Sequence, residues 1–427
     1  MQSSPTRRSV RSDSNAKAFV LGMVFLNALG TGLLIPVLPR LVQELTGRDP
    51  EAASLENGLL LAAYAVMAFL LSPFLGSLAD RWGRRPILLL AALGTLLDYA
   101  LCAWANSFGV LLLARMLAGA FGASTSVANA ALVDLTPSEH RARIFGLSSA
   151  VMGLGLILGP VIGGIFMTFG LRMPFIAACV LAACEFCFGL FWFPETLRTP
   201  SRRPLSIADA NPLTSIQRLR ALPFSNSLLV GLVFFQLGGS ITQSVLVLFA
   251  QARFAWSGLQ VGVLMTTLAC TSVVIRYGGV RFALAVLGEY MSVVVGLVVF
   301  AIGTLALAFV ETGWQLYAAL IFGQCGTVAA PVILGLLSRG VAPQMQGEAM
   351  GAISSLAAVA VMVAPLLGAL AFGGFGGAAV GHDGKWVFLL SGVILLTAAS
   401  AVAWGGAARA RESLPVSQPA EGDHELD

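Results

Sequence analysis

The sequence predicts an all-α membrane protein, built as twelve transmembrane helices in two six-helix halves. Three observations carry this. Of 427 residues, 57% are hydrophobic and only 11% charged, and the mean hydropathy is +0.86. A soluble domain carries about 25% charge, so a surface this poor in charge has lipid as its solvent. Apolar runs of the roughly 20 residues needed to span a bilayer follow one another twelve times, and the second half of the chain repeats the first at a constant offset.

The elements follow in order. A basic stretch at 1–17 (Arg7, Arg8, Arg11, Lys17) leads into the first run with no small-residue cleavage site after it, and reads as a cytoplasmic tail. Spans are expected near 18–40, 57–78, 86–106, 108–133, 142–168 and 172–193, making a first half of 18–193. A polar middle loop covers 194–222. Six further spans are expected near 223–250, 258–276, 281–309, 314–337, 346–372 and 385–407, making a second half of 223–407. A polar tail, acidic at its end, closes the chain at 408–427.

Lys and Arg set the orientation. The N-tail, the loop with Arg81, Arg84 and Arg85, the loop with Arg141 and Arg143, and the middle loop (Arg198, Arg202, Arg203, Arg218 and Arg220 against Glu195 and Asp209) share one side. That side reads as cytoplasmic and holds both termini. All six cysteines (102, 179, 184, 187, 270 and 325) fall inside apolar runs, which predicts packed thiols rather than a disulfide framework. Cys184-x-x-Cys187 lacks a second ligand pair, so helix packing is expected there rather than a metal.

The repeat is visible at residue level. Phe145-Gly146-Leu-Ser-Ser…Gly159-Pro160-Val-Ile-Gly163 aligns without a gap on Met350-Gly351-Ala-Ile-Ser…Ala364-Pro365-Leu-Leu-Gly368, an offset of 205. The same offset places Gly83 on Gly288, within a segment that has lost most of the charges of its first-half counterpart. Duplicated halves with a substrate site between them near the membrane midplane are a known transporter plan.

Two motifs carry mechanism. Gly76-Ser-Leu-Ala-Asp80-Arg81-Trp-Gly83-Arg84-Arg85-Pro86 is a polar hinge between spans 2 and 3. Its glycines permit tight geometry, and Asp80 can accept from backbone N–H groups at a helix N-terminus or pair with Arg84. Such a loop is either a topogenic positive patch or a conformational latch. It resembles the signature loop of the major facilitator superfamily, which implies the latch.

In span 5, Gly153-x-Gly155-x-x-x-Gly159-Pro160-x-x-Gly163-Gly164 provides close-approach glycines and a bend. It is similar to the antiporter motif of that superfamily's drug-exporting branch. Span 1 (Asn27-Ala-Leu-Gly30-Thr-Gly32…Pro36-Val-Leu-Pro39), Asp98-Tyr99-Ala100, Arg115, Asp134, Pro194-Glu195, Arg203-Pro-Leu205, Asn211-Pro-Leu213 and Ser338-Arg339 narrow the resemblance to tetracycline/proton antiporters.

Ionisable residues within spans are costly and functional by default. Asp98 is the best candidate for proton binding, because a carboxylate taken out of water binds a proton more readily. Arg115 is placed with it, as a partner or a steering charge, and Glu185 is a weaker candidate. Asn27, Gln236, Gln243 and Gln324 are uncharged polar groups suited to substrate hydrogen bonds, or to bonds between helices.

The chain also departs from these antiporters. Asn27 stands at their helix-1 aspartate, Ser272 near their helix-8 histidine and Phe300 near their helix-9 aspartate, while His140, His382 and His424 lie outside the spans.

There is no P-loop, HExxH or GxSxG in a catalytic context, so an enzyme or a self-contained ATP-driven pump is not expected, nor is a cofactor, a metal or a nucleic-acid partner. The leading expectation is a secondary active exporter of an amphipathic drug, tetracycline-like or multidrug, exchanged for protons. It would act as a multi-pass protein of the bacterial inner membrane, and as a monomer, which is the family's habit. A metabolite facilitator or symporter and a non-transporting membrane sensor stay open beside it.

Overall fold

The computed structural model describes residues 7–122, 124–197, 226–341, 346–373 and 384–412. The tail 1–6, most of the middle loop (including Arg198, Asp209 and the two Pro-Leu motifs), His382, His424 and 413–427 lie outside them. So do the side chains of 7–15, 124, 125, 138, 142, 347, 348 and 407–412.

Among the described residues the chain forms twelve spans. The first series is α1 (Arg7–Thr46), α2 (Ser54–Trp82), α3 (Arg84–Ala103), α4 (Phe108–Ala120, resuming as Ser124–Asp134), α5 (Arg141–Met167) and α6 (Met173–Trp192). The second is α7 (Asn226–Phe254), α8 (Gly258–Val274 and its continuation to Gly288) and α9 (from that break to Ala306). It ends with α10 (Gly313–Cys325, continued by Ala329–Arg339), α11 (Gln346–Gly373) and α12 (Lys385–Glu412).

Two boundaries differ from expectation. The fourth span is interrupted after Ala120, where the Phe121 and Gly122 N–H groups turn back to Leu117 and Gly119 and the Phe121 ring packs on Gly94 of α3. The eighth does not end near 276. It passes through a π-turn at Ile275–Gly279 and stops at Gly288, where φ is 71° and ψ −179°. A sharp reversal needs a residue that tolerates positive φ. Gly288 supplies it, as Gly83 (φ 109°, ψ 164°) does for α2 and α3.

These two glycines are equivalent in the repeat, and the packing follows it. α1 lies on α5 as α7 lies on α11, α2 on α4 as α8 on α10, and α3 on α6 as α9 on α12. The offset also carries an ion pair of reversed polarity. Arg84 Nε reaches Asp134 Oδ2 at 3.2 Å in the first half, and Arg339 Nη2 reaches Glu289 Oε1 at 2.7 Å in the second.

The halves join along two seams, α2 with α11 and α5 with α8. On the face carrying the 47–53 connection, Ser54 donates to the Ala369 carbonyl (3.2 Å), Arg40 to the Trp256 carbonyl (2.8 Å) and Gln43 Nε2 to Gln251 Oε1 (2.8 Å). Further along, Thr266 donates to the Ile157 carbonyl at 2.6 Å. Towards the opposite face, that of the Gly83 and Gly288 turns, α5 and α8 part. Leu147, Leu154, Tyr277 and Phe282 become exposed, the last two by 71% and 72%.

One cysteine, Cys102, is buried, but Cys184, Cys187, Cys270 and Cys325 are exposed, contrary to the packed thiols expected. None of these four lines the central cavity. A thiol is a small apolar group that lipid accepts without packing.

Candidate functional site

Between the halves lies a cavity of about 920 Å³. It is sealed at the 47–53 face by the contacts above and, among the described residues, opens toward the turns. α1, α2, α3, α4, α7, α10 and α11 supply its wall. Along α2 the lining runs Asn57, Leu61, Tyr64, Ala68 and Ser72, and along α7 Gln236, Ser240, Gln243 and Val247. Both are steps of three or four residues, one face of a helix. That spacing of small polar groups was available in the sequence as a signal for Asn57, Tyr64, Ser72 and Ser240, which residue-by-residue reading passed over.

Among the described residues, the charge in this wall is one pair. Asp98 of α3 and Arg115 of α4 are 2% and 6% exposed, and Arg115 Nη2 donates to both carboxylate oxygens of Asp98. A buried charge without a partner is strongly disfavoured, so the two residues hold each other in place. Cys102, one helical turn beyond Asp98, lies 3.6 Å from both Asp98 Oδ1 and Arg115 Nη2. Arg115 Nε is buried without a partner. Tyr99, next to Asp98, presses its hydroxyl onto Gly30 of α1, a contact that leaves no room for a Cβ there.

The structure brings Asn27, Gln236, Gln243, Asp98 and Arg115 to one cavity. Gln324 is not with them. Gly323 and Gly326 hold that turn of α10 against Gly303, Gly296 and Phe300 of α9, and Gln324 is absent from the lining. Glu185 is 9% exposed on α6 and also stands outside the cavity. Phe300 packs at a tilt against Phe235, with ring centres 5.2 Å apart, and fills second-half core.

The hinge loop is tied within the first half. Arg84 bonds Asp80 at 2.7 Å as well as Asp134. The Glu195 carboxylate caps the N-terminus of α3, accepting from the N–H groups of Arg84 (2.8 Å) and Arg85 (3.2 Å), and the Arg85 side chain donates to the Leu190 carbonyl at 2.7 Å. Gly83 faces the Glu195 carboxylate so closely that a Cβ would collide with it. Arg81 is exposed. Gly76 sits inside α2 with open space beside it, so the turn depends on Gly83 and not on Gly76.

The glycine motif of α5 has two faces. An added Cβ on Gly159 would come within 2.7 Å of Gly32 Cα in α1, and Gly155 and Gly163 meet α1 in the same way. Gly164 instead faces α8, where a Cβ would stand 2.8 Å from the Gly258 carbonyl, and the Pro160 carbonyl meets Gly262 there. The motif therefore packs α5 onto its own half and forms one of the seams between halves.

A family model described as Major Facilitator Superfamily matches residues 20–365. The chain belongs to the major facilitator superfamily. Its similarity to curated members of that superfamily is extensive. It is 35% identical over 354 residues to the class C tetracycline resistance protein of Escherichia coli, covering 83% of this chain and 89% of the relative. To the class E protein of Escherichia coli it is 37% identical over 349 residues, covering 81% and 85%. Among solved structures, a bacterial homologue of the human lysosomal transporter Spinster matches with a TM-score of 0.75 at 16% identity, over 95% of this chain and 99% of that one; this likeness concerns the fold. As a major facilitator protein the chain is a multi-pass membrane transporter of small molecules.

Proposed function

We propose that the protein exports an amphipathic, tetracycline-like drug in exchange for protons. Its two six-helix units (18–193 and 223–407, joined by 194–222 and flanked by tails 1–17 and 408–427) would rock about the central cavity. The observation that carries this reading is a cavity of about 920 Å³ sealed at one face, with one buried ion pair in a wall that is otherwise uncharged among the described residues. The curated drug-resistance relatives support the export direction.

In this reading Asp98 binds the proton. Protonation discharges the pair and leaves the Arg115 guanidinium without its counter-charge, which favours whichever arrangement of the halves relieves it. Asn27, Gln236 and Gln243 offer hydrogen bonds to the substrate. The Gly76–Pro86 loop, with Asp80, Arg81, Gly83, Arg84 and Arg85, acts as a conformational latch. The face of the Gly83 and Gly288 turns is cytoplasmic, as are both termini. The protein resides in the bacterial inner membrane and works as a monomer, without enzymatic activity.

The test is fluorescence-monitored uptake of a tetracycline into inside-out vesicles energised by a pH gradient. Wild type should accumulate drug. Asp98→Asn should lose gradient-driven uptake and keep substrate exchange. Gradient-driven uptake that survives in Asp98→Asn would remove Asp98 from the coupling step.

A further inference from the structure

We propose that Asn57 is a substrate-binding residue, seated where the cavity meets the seam between the halves, and that its amide takes a hydrogen-bond donor from the substrate. The proposal rests on reading the cavity as the substrate site.

Asn57 lies in the first turn of α2 and is only 3% exposed, yet its Oδ1 is buried with no hydrogen-bond partner. Buried polar side chains are nearly always satisfied, and one that is not calls for an explanation. The residue lines the cavity together with Pro365 of α11. Its neighbours on α2 form the joint itself. A Cβ on Gly58 would stand 2.7 Å from the Pro365 carbonyl, and the Ser54 hydroxyl donates to the Ala369 carbonyl at 3.2 Å.

The charges in the wall, Asp98 and Arg115, are engaged with each other. Recognition at the sealed end therefore falls to uncharged groups. An amide oxygen without a donor suits a ligand that presents a hydroxyl or N–H on its edge. The position also bears on transport. Opening the sealed face requires α2 to leave α11 at Ser54 and Gly58, so a ligand held by Asn57 sits against the joint that must part. A ligand with different contacts in the two states biases the equilibrium between them.

The test uses the full chain in nanodiscs, with two readouts on wild type, Asn57→Ala and Asn57→Gln. The first is binding of a tetracycline, followed by the drug's fluorescence. Loss of one hydrogen bond should weaken binding by about tenfold in Asn57→Ala, with partial recovery in Asn57→Gln. Unchanged binding in Asn57→Ala overturns the proposal and leaves the amide to a water molecule.

The second readout is thermal unfolding without drug. Removing an unpartnered buried acceptor should leave the melting temperature unchanged or raise it by about a few degrees. A marked fall would make Asn57 a structural residue and overturn the proposal. This second readout needs no ligand. If wild type binds no tetracycline, the drug reading of the preceding section falls, while melting still decides whether Asn57 is spare in the empty protein.

Discussion

Asp98 and Arg115 lie on adjacent spans, and nothing in their spacing of 17 residues forces them together. They meet because α3 and α4 pack antiparallel across the short connection 104–107 and neither charge tolerates burial alone. The pair is therefore asymmetric under mutation. Arg115→Ala strands a buried carboxylate and should destabilise the protein by about 3–5 kcal/mol, seen as a lower unfolding temperature in detergent. Asp98→Asn with Arg115→Gln together should be milder than Arg115→Ala alone, because the double variant leaves no buried charge. If the double variant melts below the single one, mutual neutralisation does not hold the two residues in place. The sequence pointed to both residues through their cost in a span, but it left the role of Arg115 open between partner and steering charge. Gln324 shows the converse: polarity within a span does not say which way a helix face is turned.

At the scale of the element, α5 and the two equivalent turns matter most. In α5, spacing alone predicted close approach, and the structure adds that residues 155, 159 and 163 serve α1 while residue 164 serves α8. The turns at Gly83 and Gly288 each tie the residue after the glycine to the end of the fourth or tenth span, with opposite polarity. The Glu289–Arg339 side chains are 45% and 62% exposed, so solvent screening leaves little stability in the pair. Its effect should appear in transport rate and not in melting. Glu289→Arg and Arg339→Glu should each slow uptake by about two- to fivefold, and the double reversal, which reproduces the first-half polarity, should recover it. A double variant as slow as either single one would show that the pair does not act as a unit. This pairing was legible from the 205 offset together with Asp134 and Arg339, although the composition of the second-half loop concealed it.

For the whole molecule, the decisive feature is that, among the described residues, the halves are joined at one face and apart at the other. A rocking transporter must break the joined face in each cycle. Gln43 and Gln251, 2.8 Å apart across that face, give a direct check. A cross-link between Gln43→Cys and Gln251→Cys should abolish uptake into vesicles while leaving drug binding from the open face intact, and reduction should restore transport. Continued transport with the face locked would rule out movement at this joint.

By itself the sequence determined the solvent, the number of spans, the duplication, and the identity of the costly groups Asp98 and Arg115. All of these follow from composition, run length and local spacing, which need no knowledge of neighbours. The tertiary structure decided the rest. It placed the end of α8 at Gly288 and not near 276, because a reversal depends on backbone conformation and not on hydropathy. It turned Gln236 and Gln243 into the cavity and Gln324 away from it, because that depends on which helix each face packs against. It also left the Asn57 oxygen without a partner at a seam between residues more than 300 positions apart in the chain, a juxtaposition that only the packing of one half against the other could create.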